Sequence, residues 1–149
     1  RKEHCTIIAI GKSSLRTIES VYWIGVKILC NKKCETADIE LKPWQVYEEP
    51  LSLANIRKAI AFECILNWMK ERKLKNLFTR TQLLIVPGYQ FKIANALVTN
   101  FHQPGSTLLL LVAAAIGNSW KNVYDYALQN NFRFLSYGDG CLLNIIPAE

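Results

Sequence analysis

A histidine, two amides and three hydroxyls fall between Thr99 and Thr107, around Pro104 and Gly105. Imidazole titrates near neutrality, so His102 is suited to general acid or base chemistry. Its neighbours Thr99 and Asn100 supply hydroxyl and amide groups that fix a tautomer, orient a sugar or bind a carbonyl. Ser106 and Thr107 stand where a helix would begin, so they serve either as a cap or as donors to an anion. From residue type alone, His102 is open to two readings: a proton-transfer group, or a satisfied structural histidine.

Gly11-Lys12-Ser13-Ser14 forms a second candidate cluster, after an apolar run and before a helical pattern. A phosphate loop would need glycine where Thr6 stands, which excludes the usual nucleotide triphosphatase motif. What remains is a helix start able to hold a carboxylate, phosphate or hydroxyl. Arg16 and Glu19 project from the first two turns, either toward that mouth or as a surface ion pair. Tyr137-Gly138-Asp139-Gly140 offers a phenol and a carboxylate on a turn that lets a ligand approach. It reads equally as a plain hairpin turn. No spacing assigns a Ser/His/Asp triad or a pair of catalytic carboxylates. The basic run Lys70-Glu-Arg-Lys-Leu-Lys75, with Arg80 behind it, reads as a solvated helix C-terminus whose cations complement the dipole. The other reading of that run, a phosphate-contacting patch, is weakened because no aromatic residue interleaves it.

Strand and helix signals must position these groups. Thr6–Ile10 is β-branched and ends at Gly11. Leu15, Ile18, Tyr22 and Val26 then mark one face of a helix, with Ser13 or Ser14 as its expected N-cap. Arg16, Glu19 and Lys27 fall largely off that stripe. Residues 30–55 lose the pattern in charges and prolines, an irregular excursion with a short strand expected over Trp44–Tyr47. A second helix is expected over Leu53–Arg72, presenting Ala59, Phe62, Leu66 and Met69 on one face. Gln82–Val86 and Tyr89–Ile93 flank the Pro87-Gly88 turn, and Ala96–Asn100 reads as another strand. The helix over Ser106–Ile116 is apolar nearly all round and should be buried on most sides. Trp120, Val123, Tyr124 and Ala127 mark a last helix. Phe132–Tyr137 and Cys141–Ile146 read as two strands joined by the Gly138–Gly140 turn. Interleaved strands and helices predict an α/β fold with a mixed sheet and flanking helices.

The 149 residues fit one domain spanning 1–149. Half of them are apolar and a fifth charged, a globular composition. The net charge of +6 suits a polyanionic partner without demanding one. Leu108–Ile116, the longest apolar stretch, is far shorter than the about 20 residues of a membrane span. No signal-peptide pattern is present, and a cytoplasmic protein with no membrane partner is expected. Five scattered cysteines suggest reduced thiols rather than a disulfide framework. His4, Cys5, Cys30 and Cys34 lack the paired spacing of a zinc site, so no metal is expected. The chain opens at Arg1 with no initiator methionine, its first apolar run begins almost at once, and it is expected to be a piece of a longer protein.

Four blocks carry a specific resemblance. They are Ala9-Ile-Gly-Lys-Ser-Ser-Leu-Arg-Thr-Ile-Glu-Ser20; Thr81–Val86 running into Pro87-Gly-Tyr-Gln-Phe-Lys92; Ala96-Leu-Val-Thr-Asn-Phe-His-Gln-Pro-Gly-Ser-Thr-Leu108; and Phe132-Arg-Phe-Leu-Ser-Tyr-Gly-Asp139. In this order the chain resembles the C-terminal part of the S-adenosylmethionine:tRNA ribosyltransferase-isomerases of queuosine biosynthesis. Cys30 to about Arg72 looks like an insertion found in part of that family.

The resemblance implies a fragment of a large α/β barrel-like domain, with the N-terminal part of the protein missing. It implies transfer of the ribosyl group of S-adenosylmethionine to 7-aminomethyl-7-deazaguanine in tRNA, with isomerisation to epoxyqueuosine and release of adenine and methionine. S-adenosylmethionine is then a substrate, no metal is called for, and tRNA and the absent part are the partners. Carried onto this sequence, Ser13, Ser14, Arg16 and Glu19 would line the pocket. Thr99, Asn100 and His102 would surround the ribose, Ser106 and Thr107 would hold an anionic or hydroxyl group, and Tyr137 and Asp139 would close the site. His102 and Asp139 are the expected catalytic groups.

Lys12 stands where the family usually has threonine, and Asn95 where it has aspartate. Ala113 and Ala115 replace a serine and a larger aromatic. The fragment alone is expected to be inactive and prone to self-association. The contrasting expectation is a non-catalytic module that binds tRNA or an adenosyl ligand.

Overall fold

The computed structural model describes residues 5–31, 33–103 and 105–146. Two compact units emerge, one from Arg1–Leu15 with Ile85–Glu149 and the other from Arg16–Leu84.

The first unit is built on a three-stranded mixed sheet. Strand β1 (Ile8–Ile10) runs parallel to β2 (Ala96–Asn100), and β2 runs antiparallel to β3 (Gly140–Asn144), in the order β1-β2-β3. The register aligns Ala9 with Leu97 and Leu97 with Leu143, and all three are buried on one face. Helix α1 (Lys12–Cys30) begins one residue after β1. Gly11 makes that turn with φ +84°, a left-handed conformation that side-chain-bearing residues avoid. Its N–H donates to Val98 O at 2.8 Å, and its carbonyl accepts the Leu15 N–H at 3.1 Å. The helix therefore opens at Lys12, and Ser13 and Ser14 lie within its first turn instead of capping it.

Helices α3 (Thr107–Ile116) and α4 (Ser119–Gln129) complete the unit, α3 packing on α4 and β3. Ser106 caps α3, its hydroxyl accepting the Leu108 N–H at 3.2 Å. The core joins Val112, Ala115 and Ile116 of α3 to Tyr124 and Ala127 of α4, together with Phe101 and Leu143. Helix α3 is not buried on most sides. Leu111, Val112, Ala115 and Ile116 face inward, but Leu110 is 40% exposed, because its neighbours cover a single side.

Phe132–Tyr137 forms no strand. Its alternation is genuine, since Phe132 and Phe134 both pack on Phe101. The backbone then folds back at Leu135, with φ 70°, and the Asp139 carboxylate accepts the Arg133 N–H at 2.7 Å. That closure consumes the groups a ladder would need. Gln82–Val86 and Tyr89–Ile93 also lie outside the sheet.

In the second unit α1 continues beside α2 (Lys58–Glu71). Gly25 permits their approach: a Cβ there would lie 2.3 Å from the Ala61 carbonyl oxygen. The buried face of α2 is Ala61, Ile65 and Trp68, one residue out of phase with the expected face, and Leu66 is 62% exposed. The helix also starts later than Leu53. Residues 44–47 form a short 3-10 turn at Gln45–Tyr47 instead of a strand, and another covers Thr36–Ile39. Thr81 makes an isolated parallel bridge with Leu41, and the Leu84 N–H reaches Pro43 O at 3.2 Å. Pro43 has no N–H to return, so no ladder develops. Trp68 Nε1–H and Arg72 Nη2–H both donate to Cys34 O at 3.0 Å, and Arg72 stacks 4.4 Å over the Trp68 ring. Among the described residues no helix is long and apolar enough to cross a membrane.

Candidate active site

Parallel strands β1 and β2 end on the same side, and ligands of α/β sheets bind off such carboxyl ends. Here that edge opens into a cavity of about 360 Å³, lined by the β1–α1 junction (Ile10–Ser14), by Thr99, Asn100 and His102, and by Leu108, Leu135 and Ser136. The antiparallel start of β3 brings the 132–139 loop to the same end.

Within it, Thr99 Oγ1 and His102 Nε2 are 3.1 Å apart, a hydrogen bond whose direction follows the tautomer. The His102 backbone N–H donates to the Tyr124 hydroxyl at 3.1 Å, and Asn100 Nδ2 donates to Gly138 O at 3.4 Å. The imidazole is thus held from its ring, while its backbone is held from α4. Partial burial pushes its pKa below 6.5, and the Lys12 ammonium pushes it the same way. At neutral pH the ring is uncharged and able to accept a proton. The first-turn N–H groups of Lys12, Ser13 and Ser14 have no acceptor within their own helix, which leaves them for a ligand.

Five of the expected residues meet in this cavity: Ser13, Ser14, Thr99, Asn100 and His102. Ser106 and Thr107 line a neighbouring, mostly apolar hollow of about 340 Å³ with Pro87, Leu110 and Trp120. Asp139 is tied to Arg133, whose backbone and side-chain N–H groups hold its carboxyl below the ordinary range. Tyr137 is 96% exposed. Arg16 and Glu19 follow on α1, in the part belonging to the second unit. Glu19 is fully buried, so a surface ion pair does not describe it, and Arg16 Nε is buried without a hydrogen-bond partner.

Sequence reasoning missed Tyr124, whose place on the apolar stripe of α4 marked it only as core. It also gave Lys12 no part in the site. Asn95 lies at the opposite end of β2, about 16 Å of strand from the cavity. There its Oδ1 accepts the Ile7 N–H at 2.9 Å, a strand-ordering role that lies apart from His102. Among the described residues no group of three His, Cys, Asp or Glu side chains is placed to share a metal ion, and His4 lies outside them. None of the five cysteines, all among the described residues, forms a disulfide.

The family model for queuosine biosynthesis proteins matches residues 1–143. The chain belongs to this family. Among its relatives are proteins named S-adenosylmethionine:tRNA ribosyltransferase-isomerase. That of Cereibacter sphaeroides is 50% identical over 64 residues, covering 42% of this chain and 18% of the relative. That of Gluconobacter oxydans is 50% identical over 68 residues, covering 45% and 20%. The crystal structure of the S-adenosylmethionine tRNA ribosyltransferase from Thermotoga maritima superimposes with a TM-score of 0.54 at 27% identity. That match takes in 95% of this chain but 34% of the Thermotoga chain. This queuosine-family chain therefore aligns with about a fifth of its curated relatives and a third of that structure.

Proposed function

We propose that the chain carries one wall of the active site of an S-adenosylmethionine:tRNA ribosyltransferase-isomerase. The observation that carries this reading is the Thr99–His102 hydrogen bond, set in the cavity at the β1–α1 junction. The reaction moves the ribosyl group of S-adenosylmethionine onto 7-aminomethyl-7-deazaguanine in tRNA. It isomerises the sugar to epoxyqueuosine, and adenine and methionine leave.

A base must take a proton beside the sulfonium, adenine must be protonated as it departs, and the substrate amine must attack. His102, uncharged at neutral pH and oriented by Thr99, takes the proton. Asn100 with Ser13 and Ser14 holds the ribose hydroxyls or the methionyl carboxylate. Ser106 and Thr107 bind a further anionic or hydroxyl group. Asp139, ionised and steadied by Arg133, contributes negative charge on the loop that also carries Tyr137. Arg16 and Glu19 belong to the substrate-binding set only through the family resemblance. The cytoplasm, where tRNA is modified, is the expected compartment.

A wall without its counterpart cannot preorganise the reaction, so this chain alone is inactive. Adenine release from S-adenosylmethionine with modified-base tRNA, measured for this chain and for a full-length relative, tests the reading. Turnover by this chain at the full-length rate overturns the inactivity. A His102→Ala substitution, made in full-length context, that leaves turnover unchanged overturns the assignment of the base. Stoichiometric adenosyl-ligand or tRNA binding, with no adenine released in full-length context, would favour a non-catalytic module.

A further inference from the structure

Between Lys70 and Arg80 the sequence places five basic residues against one carboxylate, +4 of the chain's net +6. The structure divides them. Arg72 is committed: it stacks on Trp68, donates to Cys34 O and lies 3.9 Å from Glu71. Lys70, Lys73, Lys75 and Arg80 are exposed, and no carboxylate pairs with them among the described residues.

The segment after α2 is a strap fixed at both ends. At one end the Leu74 N–H bonds Met69 O at 2.9 Å and the Lys73 N–H bonds Lys70 O at 3.0 Å, the double closure of a Schellman cap. At the other, Arg80 O accepts the Leu41 N–H at 3.2 Å. Leu74 and Leu77 are half-buried beneath it, whereas Phe78 is 81% exposed. An aromatic ring therefore does accompany the cations, beyond the run that the sequence brought to notice. Lys73 occupies the left-handed position of the cap, φ 55°, where glycine is the unstrained residue.

We infer that this strap and the last turn of α2 form a surface for unpaired RNA, with Lys70, Lys73, Lys75 and Arg80 contacting phosphates and Phe78 stacking on a base. Cations without partners attract any polyanion. A bare ring between Lys75 and Arg80 in the sequence adds what stacked, single-stranded binding requires. That the polyanion is RNA rests on the tRNA reading above. The surface itself lies in the second unit and makes no part of the cavity.

The test is fluorescence anisotropy of this chain with a labelled anticodon stem-loop RNA across a salt series. Four phosphate contacts give a slope of log K against log salt of about −2.8, at about 0.7 per contact for single strands. Lys73→Gln with Lys75→Gln should flatten it by about 1.4. Phe78→Ala should weaken binding about tenfold with the slope unchanged. Lys73→Gly keeps the proposal open to refutation independently of folding. It should raise the melting midpoint by relieving the cap, yet weaken RNA binding and flatten the slope by about 0.7.

An unchanged slope in the double variant overturns the inference. So does RNA affinity indifferent to Phe78, or tighter binding to anionic phospholipid vesicles or an acidic peptide than to the stem-loop. Adenine release is not the readout. RNA binding through the strap with no ribosyl transfer in full-length context would sink the reaction and spare the surface, and the converse would do the opposite.

Discussion

The loop after β2 and the strap after α2 are both short, polar segments leaving a regular element, but they are held in opposite ways. After β2 the side chains restrain one another. Thr99 bonds the His102 ring, Tyr124 holds the His102 backbone, and Asn100 reaches Gly138. After α2 the backbone is pinned at both ends, while Lys73, Lys75, Phe78 and Arg80 project without a partner among the described residues. Positioned groups suit a reaction that tolerates little displacement. Loose cations suit attraction, which depends on charge more than on angle. One segment is thus built for precision and the other for reach.

The largest test of that contrast is kinetic, in a full-length family context. His102→Ala should lower turnover about 10²–10⁴-fold. Lys75→Gln should raise KM for tRNA about threefold to tenfold and change kcat less. Steady-state adenine release would separate the two, and a kcat effect of equal size at both positions would erase the distinction.

Stability should divide the regions next. Tyr124→Phe leaves the His102 N–H without its acceptor and should cost about 1–2 kcal/mol in denaturant unfolding. Lys75→Gln, on the exposed strap, should stay within about 0.5 kcal/mol. Ser106→Ala removes the α3 cap and should cost about 1 kcal/mol by the same measurement.

The smallest effect concerns titration. The folded pKa of His102 lies below its ordinary 6.5, so the unfolded chain binds the proton first as pH falls. The stability gained by keeping the ring neutral is fully present above about 6.5 and is lost as pH falls through the folded pKa. Lys12→Thr should move that pKa partway back up, because burial is the larger cause and remains. A histidine NMR titration would show it, and no movement would take Lys12 out of the site's electrostatics.

The sheet, the four helices and the cavity junction were legible because each has a local signature: a β-branched run, a helical period, a cap. What was not legible depended on tertiary choice. Helix α2 carries two overlapping apolar stripes, and periodicity alone cannot select Ile65 and Trp68 over Leu66 and Met69. Phe132 and Phe134 alternate as strand residues do, yet the ring of Phe101 takes both, and Asp139 folds the backbone away from any ladder. Glu19 looked like a surface charge because a helical stripe does not reveal what covers the opposite side. At the site, the motif marked Thr99, Asn100 and His102, while Tyr124 was invisible because its hydroxyl acts across the fold from a core position.

Gly11 carries a consequence for motion. Its N–H is bonded to Val98 O and its carbonyl receives the Leu15 N–H, so strand and helix join without slack. A junction bonded on both sides makes a poor hinge, so any widening of the cavity mouth falls to the 132–139 loop, which lines it through Leu135 and Ser136. In deuterated solvent the Gly11 amide should exchange as slowly as the central strand, while the loop amides around it exchange first. A ligand of the proposed site would then enter past what faces the helix, with the helix itself standing still.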